Sequence, residues 1–503
     1  MPSEYSNLEK IRLEKVANLR AEGIEPYPTR AERTHTSAEA IRSFEGAEGR
    51  GEAVSATLVG RLRSMRAMGK ISFAHIEDGE GRVQIFLRAD EVGVEGLELF
   101  NREFDLGDFI QASGAMFRTR TGEVTLRVSS FRMLAKAVTP LPAAKDEIVD
   151  GQVVRHATLS DAEVRYRQRY ADLAINPEVR QTFRTRAAVV RALREFLDGH
   201  GFLEVETPIL QPLYGGAAAR PFTTHHNQLK QDLYLRISFE LYLKRLLVGN
   251  LERVYEVGRD FRNEGVDRTH NPEFTQLEFY WAYADYQQVM SLTEAMVLHV
   301  ADRVIGQPTL SYQGQEINLA PPWRRVELRQ GLLEVTGIDI AEHPTAESLA
   351  GAMKQRGLEG NWEATRGKLI DGLLGDYLEP TLIQPTFVYD YPRDISPLAK
   401  SKPGDPGIVE RFEGFAAGME LCNAFTELND PLDQEARFLE MGRDYEADDE
   451  ERHPMDEDYL QAMRYGMPPS GGFGMGVDRL AMLFTGSPNI REVILFPHLR
   501  ERE

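Results

Sequence analysis

Residues that could bind a phosphate occur in two separate runs. In the first, Arg262 lies within the polar run Gly258–Gly265. The turn residues Asn271–Pro272 follow, and the chain then continues to Glu278. Such a hairpin can hold a guanidinium over a reaction centre with a carboxylate close by. A surface ion pair is the alternative for any single arginine, but the run contains too many polar residues to form the core face of a sheet.

The second run is rich in glycine, over Gly471–Gly476, and precedes an apolar helix predicted to begin near Asp478. Glycines allow the backbone to approach a flat ligand closely. Arg479, in the first turn of the helix, could reach a phosphate or stack on a base. The run matches neither the dinucleotide-binding fingerprint nor the P-loop spacing, which excludes a Rossmann or P-loop site.

Glu413 and Glu420 are two acids seven residues apart. Carboxylates without a histidine or cysteine cluster suit hard cations, and Mg²⁺ typically binds one or two carboxylates together with substrate phosphates. Two unrelated acids in an acidic protein are the alternative, which the spacing alone favours. Spacing by itself therefore does not identify a metal site.

Composition restricts the class of protein. The 503 residues include 59 basic and 79 acidic side chains, for a formal net charge of −20, and 42% are hydrophobic. These values exclude a disordered or fibrous chain. Residues 1–140 carry 20 Lys/Arg and 21 Asp/Glu, a net of −1, so the remainder carries −19. The near-neutral first part can present a local basic face to nucleic acid.

A single cysteine, Cys422, excludes intrachain disulfides and a multi-cysteine zinc site. The chain has no apolar window long enough for a transmembrane helix and no secretory signal at its start. The sequence therefore predicts a cytoplasmic protein with no membrane partner.

The first part of the chain has the pattern of a small β-barrel. A helix is predicted over 5–22 and a short helical piece near 37–44. Strands are predicted at 57–59, 72–76, 83–87, 109–116 and 124–128, separated by turns that contain glycine. Five short strands fit a Greek-key barrel of the OB type, and another small β module is the alternative.

Prolines 140 and 142 stiffen a linker. We therefore predict an N-terminal helix with its lead-in over 1–52, an OB-type domain over 53–142 and a larger domain over 143–503. In the larger domain, helices and strands alternate. A helix is predicted over 183–199, strands at 202–208, 234–237, 253–258 and 274–281, and mostly helix over 285–304 and 324–380.

Together these motifs resemble class II aminoacyl-tRNA synthetases. Phe202–Pro208, the Arg262 hairpin and the glycine-rich run are similar to motifs 1, 2 and 3 of that class, and their order is similar to lysyl-tRNA synthetase of the bacterial type. Further similar stretches are Gly215–Phe222, Thr224–Asn227, Glu240–Leu246 and Glu427–Asp430. The resemblance implies an α+β homodimer, with an OB-type anticodon domain and a catalytic domain built on a six-stranded antiparallel sheet flanked by helices.

The resemblance also implies a reaction. The family joins L-lysine to ATP as lysyl-adenylate and transfers the lysyl group to the 3′-terminal adenosine of tRNA(Lys), releasing pyrophosphate and AMP. Because the attacking carboxylate is already an anion, the site must position charges rather than supply a base. Arg262 would clamp the α-phosphate and Arg479 the γ-phosphate side, as the catalytic residues. The other implied ATP contacts are Glu264, His270, Phe274 and Glu420, and Mg²⁺ would be held by Glu413 and Glu420.

A lysine substrate brings two ammonium groups, which need acids in the pocket. The resemblance assigns the pocket to Glu240, Glu278, Tyr280, Asn423, Phe425 and Glu427. An aspartyl or asparaginyl enzyme would need a positive group instead and usually has Gln at the position of Glu240. For each glutamate taken singly, an ordinary ion pair remains open. Phe239, Cys422 and Ala424 depart from the family pattern, which puts the affinity for lysine analogues in doubt rather than the reaction.

For the anticodon, the resemblance nominates Phe73 for base stacking and Arg66, Gln84 and Glu123 for contacts to base edges. OB folds bind unpaired bases on one sheet face and its loops. A place in the barrel core is the alternative for Phe73.

Two other functions are weighed against a tRNA ligase. A branch of the family that modifies elongation factor P lacks the OB domain and has Ala at the position of Gly474, so this chain resembles the tRNA enzyme. A non-catalytic RNA-binding paralogue would require loss of Arg262, Arg479 or the paired acids, and all of these are present.

Overall fold

The computed structural model describes residues 5–142, 145–149, 152–156, 159, 161–362, 364–444 and 454–500. The chain divides into two compact units, Met1–Asp161 and Ala162–Glu503. The segment before this division is only partly described, so the domain boundary predicted after residue 142 stays a prediction. Within the described residues, no helix combines the length and apolar character needed to cross a bilayer.

The first unit contains a closed barrel. Its helices are α1 (Asn7–Ala21), α2 (Ser37–Glu48), α3 (Ala89–Val92) and α4 (Val94–Glu103). Its strands are β1 (Ser55–Met68), β2 (Ile71–Glu77), β3 (Arg82–Arg88), β4 (Phe109–Arg118) and β5 (Val124–Ala135), followed by a ribbon of β6 (Lys145–Val149) and β7 (Gln152–His156). The barrel order is β1-β2-β3-β5-β4, in which only β3 and β5 pair in parallel.

Alternation along the barrel strands decides which side chains form the core. In β2, Ala74 and Ile76 are buried in the core, whereas Phe73 and His75 are only partly buried. Successive side chains of a strand point to opposite faces, so Phe73 lies on the outer face. The predicted OB-type barrel is confirmed, and the core alternative for Phe73 is wrong.

The second unit has helices α5 (Ala162–Arg167), α6 (Arg169–Ile175), α7 (Pro177–Gly199), α8 (Glu240–Val248), α9 (Tyr286–Val304), α10 (Leu328–Thr336), α11 (Ala346–Gln355), α12 (Arg366–Leu373), α13 (Pro431–Asp444), α14 (Glu457–Arg464), α15 (Val477–Thr485) and α16 (Ile490–Val493). Short 3₁₀ or π turns occur at Ile340–Glu342, Leu374–Leu378, Glu379–Thr381 and Arg393–Ile395.

Its strands are β8 (Leu203–Glu204), β9 (Leu210–Gln211), β10 (Thr223–His226), β11 (Gln231–Leu235), β12 (Arg253–Phe261), β13 (Glu273–Ala282), β14 (Thr309–Tyr312), β15 (Gln315–Asn318), β16 (Arg324–Glu327), β17 (Thr386–Pro392), β18 (Ser401–Lys402), β19 (Asp405–Ala416), β20 (Met419–Thr426) and β21 (Ser470–Gly476).

One large sheet organises this unit, in the order β16-β17-β19-β20-β21-β13-β12-β8, with β18 beside β19. The six strands from β17 to β12 are antiparallel to their neighbours, as expected. Short parallel strands, β16 and β8, extend the two edges. The predicted antiparallel sheet flanked by helices is therefore confirmed, within a wider mixed sheet.

Successive side chains of β13 point alternately to the face of the sheet that the helices cover and to the opposite face. Leu277 and Phe279 belong to a core that includes α7, α9 and α15, and Phe279 stacks on Phe473 of β21 with ring centroids 4.6 Å apart. Glu278 and Tyr280 lie on the opposite face. Helix α9 is held at its start by a capping box, in which Asp285 accepts hydrogen bonds from Gln287 N and Gln288 N.

The strand predicted over 202–208 is shorter than expected. Regular pairing covers only Leu203–Glu204. Beyond it, Thr207 N donates to the carboxylate of Glu256 at 2.9 Å rather than to a neighbouring strand. At Thr207 a side chain of β12 thus takes the place of a backbone acceptor on a neighbouring strand, and the regular strand pairing does not continue.

Candidate active site

A cavity of about 650 Å³ lies on the face of the sheet opposite α7, α9 and α15. The predicted ATP and lysine residues that line it are Glu240, Arg262, Glu264, His270, Phe274, Glu278, Tyr280, Glu420, Asn423, Phe425 and Arg479. Two predicted residues, Glu413 and Glu427, do not line the cavity themselves but adjoin residues that do: Glu413 pairs with Asn423, and Glu427 lies against Gly472. The fold thus gathers residues from motifs that are far apart in sequence.

Arg262 directly follows β12, and its backbone N donates to Pro272 O at 2.8 Å, which closes the hairpin. Its guanidinium carbon lies 5.1 Å from the ring centroid of Phe274. Its Nε is buried and has no hydrogen-bond partner within the described part of the chain. A partly buried guanidinium with an unused buried donor is suited to an anionic ligand.

Arg479, in the first turn of α15, belongs to a second cluster of charged residues. Its Nη1 donates to Glu420 Oε2 at 2.9 Å, and its Nη2 lies 3.1 Å from His270 Nε2. His270 Nδ1 is in turn 2.8 Å from Asp267 Oδ2. The start of α15 is anchored by Asp478, which accepts a hydrogen bond from Thr275 N at 2.7 Å. This network orients Arg479 towards the cavity.

The predicted metal acids lie on the neighbouring strands β19 and β20. Glu413 accepts hydrogen bonds from Arg411 Nη2 at 2.5 Å and from Tyr391 OH at 2.9 Å. Burial raises the pKa of Glu413 to about 7; Arg411 opposes this shift, and the negative charge of Glu420 adds to it. A third acid, Glu379, accepts a hydrogen bond from Glu420 N at 3.2 Å.

The donor chemistry of these acids fits a hard divalent cation. Repulsion between Glu413 and Glu420 is one of the causes that raise the pKa of Glu413, and a cation between them would relieve it. Among the described residues, no group of three or more His, Cys, Asp or Glu has metal-ligand geometry. Two carboxylates suffice for Mg²⁺ when substrate phosphates complete the shell.

The centre of the acidic pocket is Glu278. Its Oε1 accepts hydrogen bonds from Ser238 Oγ at 2.9 Å and Gln276 Nε2 at 3.0 Å, and its Oε2 accepts from Tyr280 OH at 3.3 Å. Burial, followed by the charges of Asp260 and Glu240, raises its pKa well above the usual range. A cationic ligand would favour the ionised form of this carboxyl.

Gly472 and Gly474 of β21 keep the pocket open. Gly474 pairs with Glu278 on one side and Asn423 on the other, and a Cβ there would lie 3.0 Å from Gln276 Nε2. At Gly472 a Cβ would lie 1.8 Å from Glu427 Oε1, so only glycine fits. The carboxylate of Glu427 therefore lies directly against Gly472, in the space that a side chain there would fill.

Sequence reasoning missed Lys244, whose side chain lies between Glu240 and Glu427. Its Nζ is 2.6 Å from Glu240 Oε1 and also ion-pairs with Glu427. The available signal was the Glu-x-x-x-Lys spacing in α8, which puts both residues on one helix face. Arg411 and Tyr391, which bind Glu413, were also missed, since neither stands in a recognisable spacing.

Of the residues that depart from the family pattern, Cys422 lines the cavity, whereas Phe239 and Ala424 do not. Phe239 is fully buried beneath Arg236, whose guanidinium carbon lies 4.0 Å from its ring centroid. Ala424 and Cys422 pack in the core between the sheet and the helices. Burial raises the pKa of the Cys422 thiol, which leaves it unsuited as a nucleophile.

The four predicted anticodon residues belong to one face of the barrel unit. Arg66 pairs with Phe73 across β1 and β2, and both residues are at least partly exposed. Glu123 accepts a hydrogen bond from Gln84 Nε2 at 2.8 Å and lies 2.8 Å from His75 Nε2. The face also includes Phe86 and Phe117, which the sequence analysis missed: the Phe73 and Phe86 centroids are 4.8 Å apart, and those of Phe86 and Phe117 are 6.0 Å apart.

Comparison with known proteins agrees with both units. A family model described as tRNA synthetases class II (D, K and N) matches residues 161–500. A second model, for an OB-fold nucleic acid binding domain, matches residues 56–134.

Full-length relatives are similar throughout. The lysine–tRNA ligase of Roseiflexus castenholzii is 54% identical over 501 residues, covering 99% of this chain and 100% of the relative. That of Chloroflexus aurantiacus is 51% identical, covering 99% of each chain. That of Bacillus subtilis strain 168 is 47% identical, covering 99% of this chain and 98% of the relative. The chain therefore belongs to the lysine–tRNA ligase family of class II tRNA synthetases.

Proposed function

We propose that this chain activates L-lysine with ATP to lysyl-adenylate and transfers the lysyl group to the 3′-terminal adenosine of tRNA(Lys). The observation that carries the proposal is one cavity in which Arg262 and Arg479 face buried acids. Such a cavity combines sites for a triphosphate and for a cationic amino acid. The family membership supports the same reaction.

The residues of the cavity would act by positioning and charge neutralisation. The lysine carboxylate attacks the α-phosphorus, and the bond to pyrophosphate breaks. Arg262, with free donor capacity beside Phe274, would stabilise the charge that develops on the α-phosphate oxygens. Arg479, held by Glu420 and near His270, would hold the γ-phosphate end.

In the nucleotide site, Phe274 would stack on adenine, and Glu264 and His270 would contact the nucleotide. Glu413 and Glu420 would hold Mg²⁺, which neutralises phosphate charge.

The acids of the pocket would select lysine. Glu278, together with Tyr280 and Asn423, would bind the α-ammonium end. Glu240 and Glu427 would bind the ε-ammonium, with Phe425 as a wall. An acidic or amide side chain would face like charge or an unpaired carboxylate here, which disfavours aspartate and asparagine.

The direct test is ATP–pyrophosphate exchange with each of the twenty amino acids. Lysine should support exchange, and ornithine, one methylene shorter, should be poorer by roughly 10- to 200-fold. Exchange with aspartate but not lysine would contradict the substrate assignment.

Glu240→Gln should then weaken lysine binding by about 1.5–3 kcal/mol, because a charge-assisted hydrogen bond is lost. Unchanged lysine binding by isothermal titration would exclude Glu240 from the ammonium site.

The remaining partners are proposed from family membership. Arg66, Phe73, Gln84 and Glu123 would bind the tRNA anticodon, and the chain would work as a cytoplasmic homodimer. Analytical ultracentrifugation tests the dimer. Aminoacylation of tRNA(Lys) against transcripts with altered anticodons tests the recognition, and equal rates on all transcripts would contradict it.

A further inference from the structure

Lys244 of α8 places a positive charge at the end of the pocket where the substrate ammonium is expected. Its side chain is fully buried, its Nζ lies 2.6 Å from Glu240 Oε1, and it also ion-pairs with Glu427. The ring of Phe425 lies 5.4 Å from the same nitrogen. Lys244 of the protein is thus already ion-paired with the two acids that are assigned to the lysine substrate.

The acids retain capacity for a second cation. Glu427 Oε1 is buried and has no hydrogen-bond partner within the described part of the chain. The same oxygen lies against Gly472, which lines the cavity. Glu240 itself lines the cavity. Two carboxylates against one ammonium leave one net negative charge, which a buried site must compensate when it is filled.

The charged and titratable groups around this cluster act on the ionisation of its two acids. Burial raises the pKa values of Glu240 and Glu427, and the charge of Lys244 opposes both shifts. The other titratable or charged groups that act on the cluster are Glu278, Tyr280, Arg411 and Tyr459. Arg411 also acts against the shift of Glu240, but Lys244 is the cation in contact with both acids.

We propose that Lys244 is a specificity-determining counter-ion: it favours the ionised forms of Glu240 and Glu427 and limits the ionised pair to a single net negative charge, which the substrate ammonium compensates. This inference rests on the proposed function. Binding of lysine then gives a neutral group of two ammoniums and two carboxylates. A neutral side chain leaves one buried negative charge uncompensated, and an acidic one adds a second.

The first test is Lys244→Met, which removes the charge and keeps the length of the side chain. Without the counter-ion the two acids hold a proton more tightly, and the substrate ammonium, which needs both carboxylates as acceptors, must displace it. The KM for lysine in ATP–pyrophosphate exchange should rise by roughly 10- to 100-fold at pH 7. The ratio of variant to wild-type KM should fall as the pH rises from 6.5 to 8.5, by at most about tenfold per unit for one proton.

Lys136→Met is the matched control, because Lys136 is also fully buried and paired with two acids, Asp105 and Asp108, in the barrel unit. Its KM ratio should stay near one at every pH, even if stability falls. A Lys244→Met ratio that does not change with pH would overturn the counter-ion role.

A second test works even if Lys244→Met does not fold. Glu427→Gln alone leaves Lys244 paired with Glu240 and makes the subsite neutral, so lysine should bind poorly. Adding Lys244→Met restores one net negative charge, and the double variant should have a KM for lysine several-fold lower than Glu427→Gln. A purely structural Lys244 would make the double variant worse, which would overturn the proposal.

These outcomes are separable from failure of the proposed function. A wild-type chain without lysine-dependent exchange would contradict the function itself. Normal wild-type exchange with no rescue in the double variant would contradict only the counter-ion role.

Discussion

Each unit of this molecule buries a lysine between two acids, and the two clusters differ in how completely the acids are satisfied. In the barrel unit, Lys136 Nζ donates to Asp105 at 2.5 Å, to Asp108 at 2.8 Å and to Glu103 O at 2.6 Å. Asp105 Oδ1 also accepts from Lys15, and Asp108 Oδ1 accepts from Ala137 N, both at 2.8 Å. All four oxygens of these two acids therefore have a donor.

In the catalytic unit, Glu427 Oε1 has no donor in the described chain, although Lys244 is as deeply buried as Lys136. The pKa values reflect this difference. Burial pushes the pKa of Asp105 up, but hydrogen bonds from Lys136 and Lys15 outweigh it and the pKa ends below its usual value. Burial raises the pKa of Glu427 well above its usual value, although the charge of Lys244 opposes the rise. Unused acceptor capacity thus distinguishes the proposed binding pair from the satisfied ion pair of the barrel.

The largest expected effect concerns Asp108→Asn, which removes one charge from the satisfied cluster. Breaking a buried pair leaves Lys136 undercompensated and should lower the free energy of unfolding of the barrel by about 3–5 kcal/mol. Hydrogen–deuterium exchange of peptides from β4 and β5 in the full chain measures this loss. Lysine-dependent exchange should not change. A large change in the KM for lysine, without faster hydrogen–deuterium exchange in β4 and β5, would contradict a purely structural role for the barrel cluster.

Arg262→Ala tests whether a buried hydrogen-bond donor without a partner also marks a residue that acts on substrate. Because Arg262 Nε is buried without a partner, the guanidinium should act on substrate, and its loss should lower kcat for adenylate formation by about 100- to 1,000-fold. Arg259→Ala is the control, since Arg259 lies three residues earlier, within β12, is partly exposed, and has its Nε 3.7 Å from Glu273 Oε1. Equal activities of the two variants would show that unsatisfied groups do not mark the site.

Much of this site could be predicted from the sequence because its motifs are local. Arg262 and Glu278 lie on one hairpin, and the alternation in β13 puts Glu278 and Tyr280 on one face. The glycines of β21 and the start of α15 also follow from a single run. Such features depend on spacing within one or two elements, and spacing can be read without a fold.

Lys244 could not be assigned in the same way. A Glu–Lys pair four residues apart in a helix is usually a solvated surface pair. Lys244 pairs with Glu427, which stands 183 residues later, directly after β20, and only the assembled sheet brings the two together. The early end of β8 has the same origin, since the carboxylate that binds Thr207 belongs to β12.

Asp260→Asn tests whether a buried acid without hydrogen-bond partners makes the free energy of unfolding depend on pH. Burial raises the pKa of Asp260 to about 7, and both carboxylate oxygens have no hydrogen-bond partner in the described chain, with Arg236 Nε 3.3 Å away. Because the folded pKa is raised, Asp260 contributes stability at low pH and loses it as the pH rises from about 4 to 7. Relative to Asp260→Asn, wild-type stability should fall by at most about 1.4 kcal/mol per pH unit in that window.

Urea titrations of both proteins between pH 4 and 8 measure this difference. The stability difference should level off above pH 7. A difference that is constant across the whole range would mean that Asp260 stays ionised, and that its lack of hydrogen-bond donors has no energetic consequence.

The smallest expected effect concerns the barrel face with Phe73. Here the feature that suggests binding is an exposed aromatic ring rather than a buried group without a hydrogen-bond partner. Phe73 is only partly buried and lies outside the barrel core, whereas Phe100 is fully buried within it. Phe73→Leu should weaken binding of tRNA(Lys) by about 1–3 kcal/mol, the usual contribution of one base stacked on an aromatic ring. ATP–pyrophosphate exchange should be unaffected, because it does not involve tRNA. Phe100→Leu should instead destabilise the barrel. Equal losses of tRNA affinity and of stability in both variants would return Phe73 to a structural role.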